Sequence, residues 1–185
     1  MSGARRQIFT VFAGFLMVEK FGYDAATITL LYLLNHVINM FLAPKIGKMI
    51  GKWGERRALV FEYAGLFIVF VSYAFVENHI LAGGLYVIDH LFFALAIAIK
   101  TYFQKIADPA DISSTAGVSF TINHIAAVFI PAAFGLLWLI SPGAVFLAGA
   151  AMAFVSLVLA LNVPHDPEPG NEVLRGYKST AAQPA

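Results

Sequence analysis

The chain has 185 residues, 59 % of them hydrophobic and 12 % charged, with a formal charge of +1 and a mean hydropathy of +0.77. A soluble domain is about half apolar and about a quarter charged, so water is not the main solvent of this protein. The absence of cysteine excludes disulfides, thiolate metal sites and cysteine nucleophiles.

The first apolar segment, residues 5–22, is uncharged only from Gln7 to Val18 before Glu19 and Lys20 interrupt it. It is short for a bilayer crossing. A secretory signal does not fit, because no small-residue cleavage site precedes the next segment. Two readings remain, a crossing that begins before Met1 or an interfacial helix. The second segment, 25–50, is uncharged from Ala25 to Pro44; the third, 58–76, carries one acid, Glu62; the fourth, 80–102, carries one acid at mid-length, Asp89. From Ile112 to His165 there is no Asp, Glu, Lys or Arg, a stretch that as one helix would reach about 80 Å across a hydrocarbon core of about 30 Å. It therefore crosses twice. Ser141-Pro142-Gly143 supplies the break, since proline lacks an amide proton and glycine permits a tight reversal, giving segments 114–140 and 143–163. Pro131 is expected to kink the fifth. The expected fold is an all-α membrane protein, a six-helix transmembrane bundle.

Of the 12 Lys and Arg, all but Lys20 lie at the N-terminus, between the second and third segments, between the fourth and fifth, or in the tail. By the positive-inside rule both termini are cytoplasmic, in a multi-pass protein of a plasma or inner membrane. Residues 164–185, with Pro164, Pro167, Pro169 and Pro184 among polar residues, read as a disordered cytoplasmic tail.

Asn35-His36-Val37 with Phe41 and Gly47 in the second segment matches Asn123-His124-Ile125 with Phe129 and Gly135 in the fifth, at the same offsets. Three-helix units running in opposite directions would produce this, a 3+3 inverted repeat. Polar groups inside the segments mark inward faces, because an unsatisfied polar group in hydrocarbon costs several kcal/mol. Asn35, His36 and Asn39 lie in the second segment, Tyr86, Asp89 and His90 in the fourth, Asn123 and His124 in the fifth. The third and sixth have few such groups and are expected to face lipid. His36, His90 and His124 each lie about 15 Å along the helix from a segment end, near the bilayer midplane.

The connection Gly47-Lys48-Met49-Ile50-Gly51-Lys52-Trp53-Gly54-Glu55-Arg56-Arg57 resembles the G-x-x-x-D-R-x-G-R-R loop of major facilitator transporters. Gly47, Lys52, Gly54, Arg56 and Arg57 fit; Gly51 stands in place of the aspartate and Glu55 at a basic or variable position. The resemblance covers residues 5–163. It implies that the segments correspond to helices 7–12, the C-terminal half of a twelve-helix secondary transporter, and that the start of helix 7 and the N-terminal half lie outside this chain. The implied partners are the lipid bilayer, a small-molecule substrate, and the missing half or a second half-size subunit.

Asp89 with His90 is the leading candidate for proton coupling or substrate contact, the alternative being an interhelical hydrogen bond that fixes packing. Asn35, His36, Asn39, Tyr86, Asn123 and His124 would line the same cavity. Arg5 and Arg6 read either as boundary charge or as contacts to an anionic substrate, and Glu62 as an interfacial partner of Arg56 and Arg57. Lys100 and Gln104 are expected to snorkel or bracket an inner gate. No two histidines have the i,i+3 or i,i+4 spacing of helix-borne metal sites, so no metal site is expected. No cofactor, nucleotide-binding loop, nucleic-acid partner or catalytic constellation is expected either, and the chain reads as a transporter half rather than an enzyme. The other reading is a non-transporting fragment, or a half-size protein that needs a partner half.

Overall fold

Helices take up nearly all of residues 2–161 in a computed structural model that describes residues 2–175. They are α1 Ser2–Ile8, α2 Gly14–Phe21, α3 Ala25–Trp53, α4 Glu55–Phe75, α5 His79–Ala94, α6 Ile97–Ile106, α7 Pro109–Ile140 and α8 Pro142–Leu161, with a π-helical turn Phe9–Ala13 between α1 and α2. No strand occurs among the described residues beyond an isolated bridge between Glu168 and Asn171. Five stretches are long and apolar enough to cross a bilayer: Ala25–Trp53, Glu55–Phe75, His79–Ile106, Pro109–Ile140 and Pro142–Leu161. This all-helical pattern is consistent with an integral membrane protein.

Local chemistry explains the boundaries. The side chains of Asp24, Asn78, Asp108 and Ser141 accept hydrogen bonds from the backbone N–H groups of Thr27, Leu81, Ala110 and Ala144, capping α3, α5, α7 and α8. Gly22 ends α2 in a left-handed conformation, φ 68°, and Gly54 turns α3 into α4 at φ 82°. The break at Ser141-Pro142 falls where the sequence places it. Both α3 and α7 continue as helix through Pro44 and Pro131.

Two expectations need correction, and one open reading gains detail. The fourth segment is not one helix: α5 and α6 meet at Leu95 and Ala96, whose N–H groups bond back three residues to Phe92 and Phe93, a tightened turn. The first segment, read as either a crossing or an interfacial helix, packs inside the bundle. Its stripe of Ile8, Phe9, Phe12, Ala13, Leu16 and Met17 is buried at the centre of the bundle, and from Ser2 to Phe21 it extends about 30 Å as helix. The third and sixth segments are not the bundle's exterior alone, because α4 and α8 pack most extensively on each other. Gly149 of α8 admits the Phe70 ring and Gly65 of α4 admits Phe92. Their outer stripes, with Ile68, Phe75, Phe154 and Val158, remain exposed.

The core centres on Phe9, edge-on to Phe70 at 5.7 Å and Tyr73 at 5.1 Å and stacked on Tyr86 at 5.9 Å, the separations at which aromatic pairs attract. Polar latches close both ends. At one end Lys20 bonds Glu77 and the Val76 carbonyl, and the Trp138 indole donates to Glu19. At the other, Lys105 pairs with both oxygens of buried Glu55 at 2.8 and 2.9 Å. Residues 164–175 are irregular but held to the bundle: Tyr102 donates to the Glu172 carbonyl, and Asn162 exchanges two hydrogen bonds with Arg175. The rest of the expected disordered tail, Lys178 included, lies outside the described residues.

Candidate functional site

The residues expected to line one cavity divide into two groups. Asp89 and Asn35 are fully buried, Tyr86 is 3 % exposed, and the His90 side chain is 18 % exposed. The Asp89 carboxylate stands 4.0 Å from His90 Nδ1, too far for a hydrogen bond. His36 and His124 are exposed on α3 and α7, and Asn39 is half-buried. Asn123 packs directly against the backbone at Gly3, joining α7 to α1. His36 and His90 interact electrostatically across α3 and α5; no comparable link brings His124 to them. Among the described residues no group of three His, Asp or Glu side chains is placed to hold a metal ion.

A shared local design emerges at all three histidines. In each, Nδ1 lies 2.9 Å from the backbone carbonyl four residues earlier, Tyr32 for His36, Tyr86 for His90 and Phe120 for His124. A carbonyl can only accept, so Nδ1 carries the proton, and in the neutral ring Nε2 is left as an acceptor. Each imidazole also rests on the ring at i−4, with centroids 4.2, 4.6 and 3.9 Å apart. The underlying sequence is Tyr32-Leu33-Leu34-Asn35-His36, Tyr86-Val87-Ile88-Asp89-His90 and Phe120-Thr121-Ile122-Asn123-His124. The unit is aromatic, two intervening residues, Asn or Asp, then His. The copies in α3 and α7 were legible as a repeat; the copy in α5 was legible too, and shows that the unit is not confined to equivalent members of a 3+3 arrangement.

The most polar part of the interior is a group the sequence did not assemble. Arg5 of α1, Glu62 of α4 and Asp89 of α5 are all fully buried, and Arg5 interacts electrostatically with both carboxylates. The Arg5 guanidinium lies 4.6 Å from the centroid of the Tyr63 ring, a cation–π contact. None of the charged atoms of the three side chains makes a hydrogen bond of ordinary geometry, nor does the Asn35 amide. The reading of Glu62 as an interfacial partner of Arg56 and Arg57 is therefore overturned, as is that of Arg5 as boundary charge, whereas Arg6 is exposed. The signal was present. Arg5 precedes Ile8, Phe9, Phe12 and Ala13 at helical spacing, and Glu62 shares a face with Leu59, Tyr63, Leu66 and Val69, so both sit on apolar stripes.

In the loop resembling the transporter motif, Gly47 and Lys52 lie in the last turns of α3, Gly54 makes the turn, and Arg56 and Arg57 open α4. The two arginines border a cleft of about 460 Å³ with Phe61, Leu161 and His165. Glu55 serves the Lys105 latch. Lys100 and Gln104 are exposed on α6.

Comparison with known proteins finds no matching family model, no matching curated protein and no matching solved structure.

Proposed function

We propose that this chain is one half of a secondary active transporter for a small solute, of the major facilitator type and proton-coupled, and that it works when a second half covers α3 and α7. The supporting observation is the uneven burial of the helices. In the most apolar stretches of α3 and α7 only 6 % is buried, against 50 % in α4, yet these two under-covered helices carry His36, Asn39, Asn123 and His124 at mid-length. Hydrocarbon does not tolerate such a row of amides and imidazoles, which belong against protein or water. The resemblance of residues 47–57 to the transporter loop and the like units in α3 and α7 support the same reading, with six crossings and cytoplasmic termini following from the lysine and arginine distribution. Asp89 and His90 are the coupling groups in this proposal, and the free Nε2 atoms of the three histidines are its acceptors.

The lack of native cysteine makes single-cysteine labelling clean. In vesicles, His36→Cys, Asn39→Cys and His124→Cys are expected to react with a charged thiosulfonate, while Ile68→Cys and Val158→Cys on the outer faces of α4 and α8 stay inert. Equal inertness at all five positions would place α3 and α7 against lipid and remove the basis of the proposal. Uptake of labelled sugars, amino acids and carboxylates into vesicles with an alkaline interior, abolished by Asp89→Asn, tests transport itself; no gradient-driven uptake of any of them, with the second half present, refutes it.

A further inference from the structure

Arg5, Glu62 and Asp89 come from three different helices, and each is withdrawn completely from the surface of the chain. With both carboxylates ionised the buried group carries one negative charge too many. An unbalanced ion in a low-dielectric interior costs several kcal/mol even after relaxation, and a carboxylate far from water is commonly relieved by taking up a proton. Among the described residues the surroundings offer no second buried cation. From α1 the other charge is Arg6, exposed and screened by water, which acts on Asp89 from the surface. From α4 the facing groups are Tyr63 and Tyr73, and the Tyr73 hydroxyl is committed to the Ala82 carbonyl at 2.6 Å. From α5 they are Tyr86 and His90, whose Nδ1–H is committed to a carbonyl. From α3 they are His36, which acts on His90, and the uncharged Asn35. The buried stretches of α7 and α8 bring no ionisable side chain.

We propose that Glu62 and Asp89 share one exchangeable proton, with Arg5 as their fixed counter-charge, so that the cluster is neutral when the proton is bound and carries one negative charge when it is released. The step is a plain transfer: a hydrated proton adds to a carboxylate oxygen, and the same O–H bond breaks on release. Nothing is oxidised or reduced. Glu62 thereby joins Asp89 as a proton carrier, on a helix expected to have only lipid-facing work. Arg5 is a positioning residue whose charge sets the number of protons at one. The inference deepens the coupling part of the proposed function and rests on that reading only for the use to which the proton is put.

The test is infrared difference spectroscopy of the full chain in phosphatidylcholine vesicles, without any solute, following the carbonyl stretch of a protonated carboxyl near neutral pH. The wild type is expected to show one such group per chain. Either Glu62→Gln or Asp89→Asn removes the band, because the remaining carboxylate is balanced by Arg5 and stays ionised. Arg5→Gln doubles it. A wild type with no protonated carboxyl overturns the proposal, as does a band that survives in both Glu62→Gln and Asp89→Asn; an unchanged band in a helical Arg5→Gln protein overturns the role given to Arg5. The wild-type spectrum decides even where a variant fails to fold. A band present in a protein that moves no solute would leave the proton site standing and transport refuted, and uptake without the band would do the reverse.

Discussion

Replacing Gly149 by alanine tests whether the contact between α4 and α8 is as close as described. A Cβ at position 149 would lie 2.5 Å from Cδ1 and 3.2 Å from Cζ of Phe70, inside the 3.5–4.0 Å at which carbon atoms normally rest (about 3.5 Å at the closest). The ring has little freedom to yield, because Phe70 is fully buried and packs against the Phe9 ring. Overpacking of this kind costs about 1–3 kcal/mol. Alanine also favours helix over glycine by about 1 kcal/mol, which would mask part of the loss. Gly84→Ala removes that ambiguity, since it lies in α5 with nothing within 4 Å of the added carbon, and the propensity gain cancels between the two variants. Gly149→Ala should therefore melt roughly 2–12 °C below Gly84→Ala, taking about 2–4 °C per kcal/mol for a chain of this size. Loss of helical ellipticity on heating in one detergent reads the difference. A Gly149→Ala protein that melts with or above Gly84→Ala would refute the packing argument.

Removing Lys105 as alanine leaves the Glu55 carboxylate, 3 % exposed, without the cation that both its oxygens contact. A loss of about 1–3 kcal/mol is expected, partly restored by adding Glu55→Gln, and identical melting of Lys105→Ala and wild type would contradict it. At the start of α3, the hydrogen bonds from Thr27 hold Asp24 below the ordinary aspartate value of 3.8. A depressed folded-state value means that the capping contribution is present above pH 3.8 and is lost as pH falls through the folded value. The stability difference between wild type and Asp24→Ala should accordingly be constant from neutral pH down to that range and shrink below it, as read by melting temperature against pH; a difference that grows with acid would reverse the sign of the argument.

What the sequence made legible follows from the strength of each local signal. The Ser141-Pro142 break and the long apolar runs rest on backbone chemistry, and the structure has them where expected. Asp89 was legible as interior because a lone carboxylate at mid-segment has nowhere else to go. The interruption at Leu95 and Ala96 was not, since Phe92-Phe93-Ala94-Leu95-Ala96-Ile97 contains no residue that breaks a helix. The depth of Arg5 was hidden for a different reason: a basic residue beside the first apolar run satisfies the positive-inside pattern equally well, and only the apolar stripe beyond it argues for burial. Which helices lie at the centre depends on long-range packing, so the rule that polar-free segments face lipid placed α4 and α8 too far out.

The π turn at Phe9–Ala13 holds one residue more than a plain helical turn would. Winding those residues as ordinary α-helix, with α2 held still, would push every residue before Phe9 outward by about 1.5 Å and turn it by about 100°. The slot now filled by Arg5 would then receive Arg6. Because Arg5 and Arg6 are neighbours, a shift of one residue at this widened turn would still leave a guanidinium facing Glu62 and Asp89.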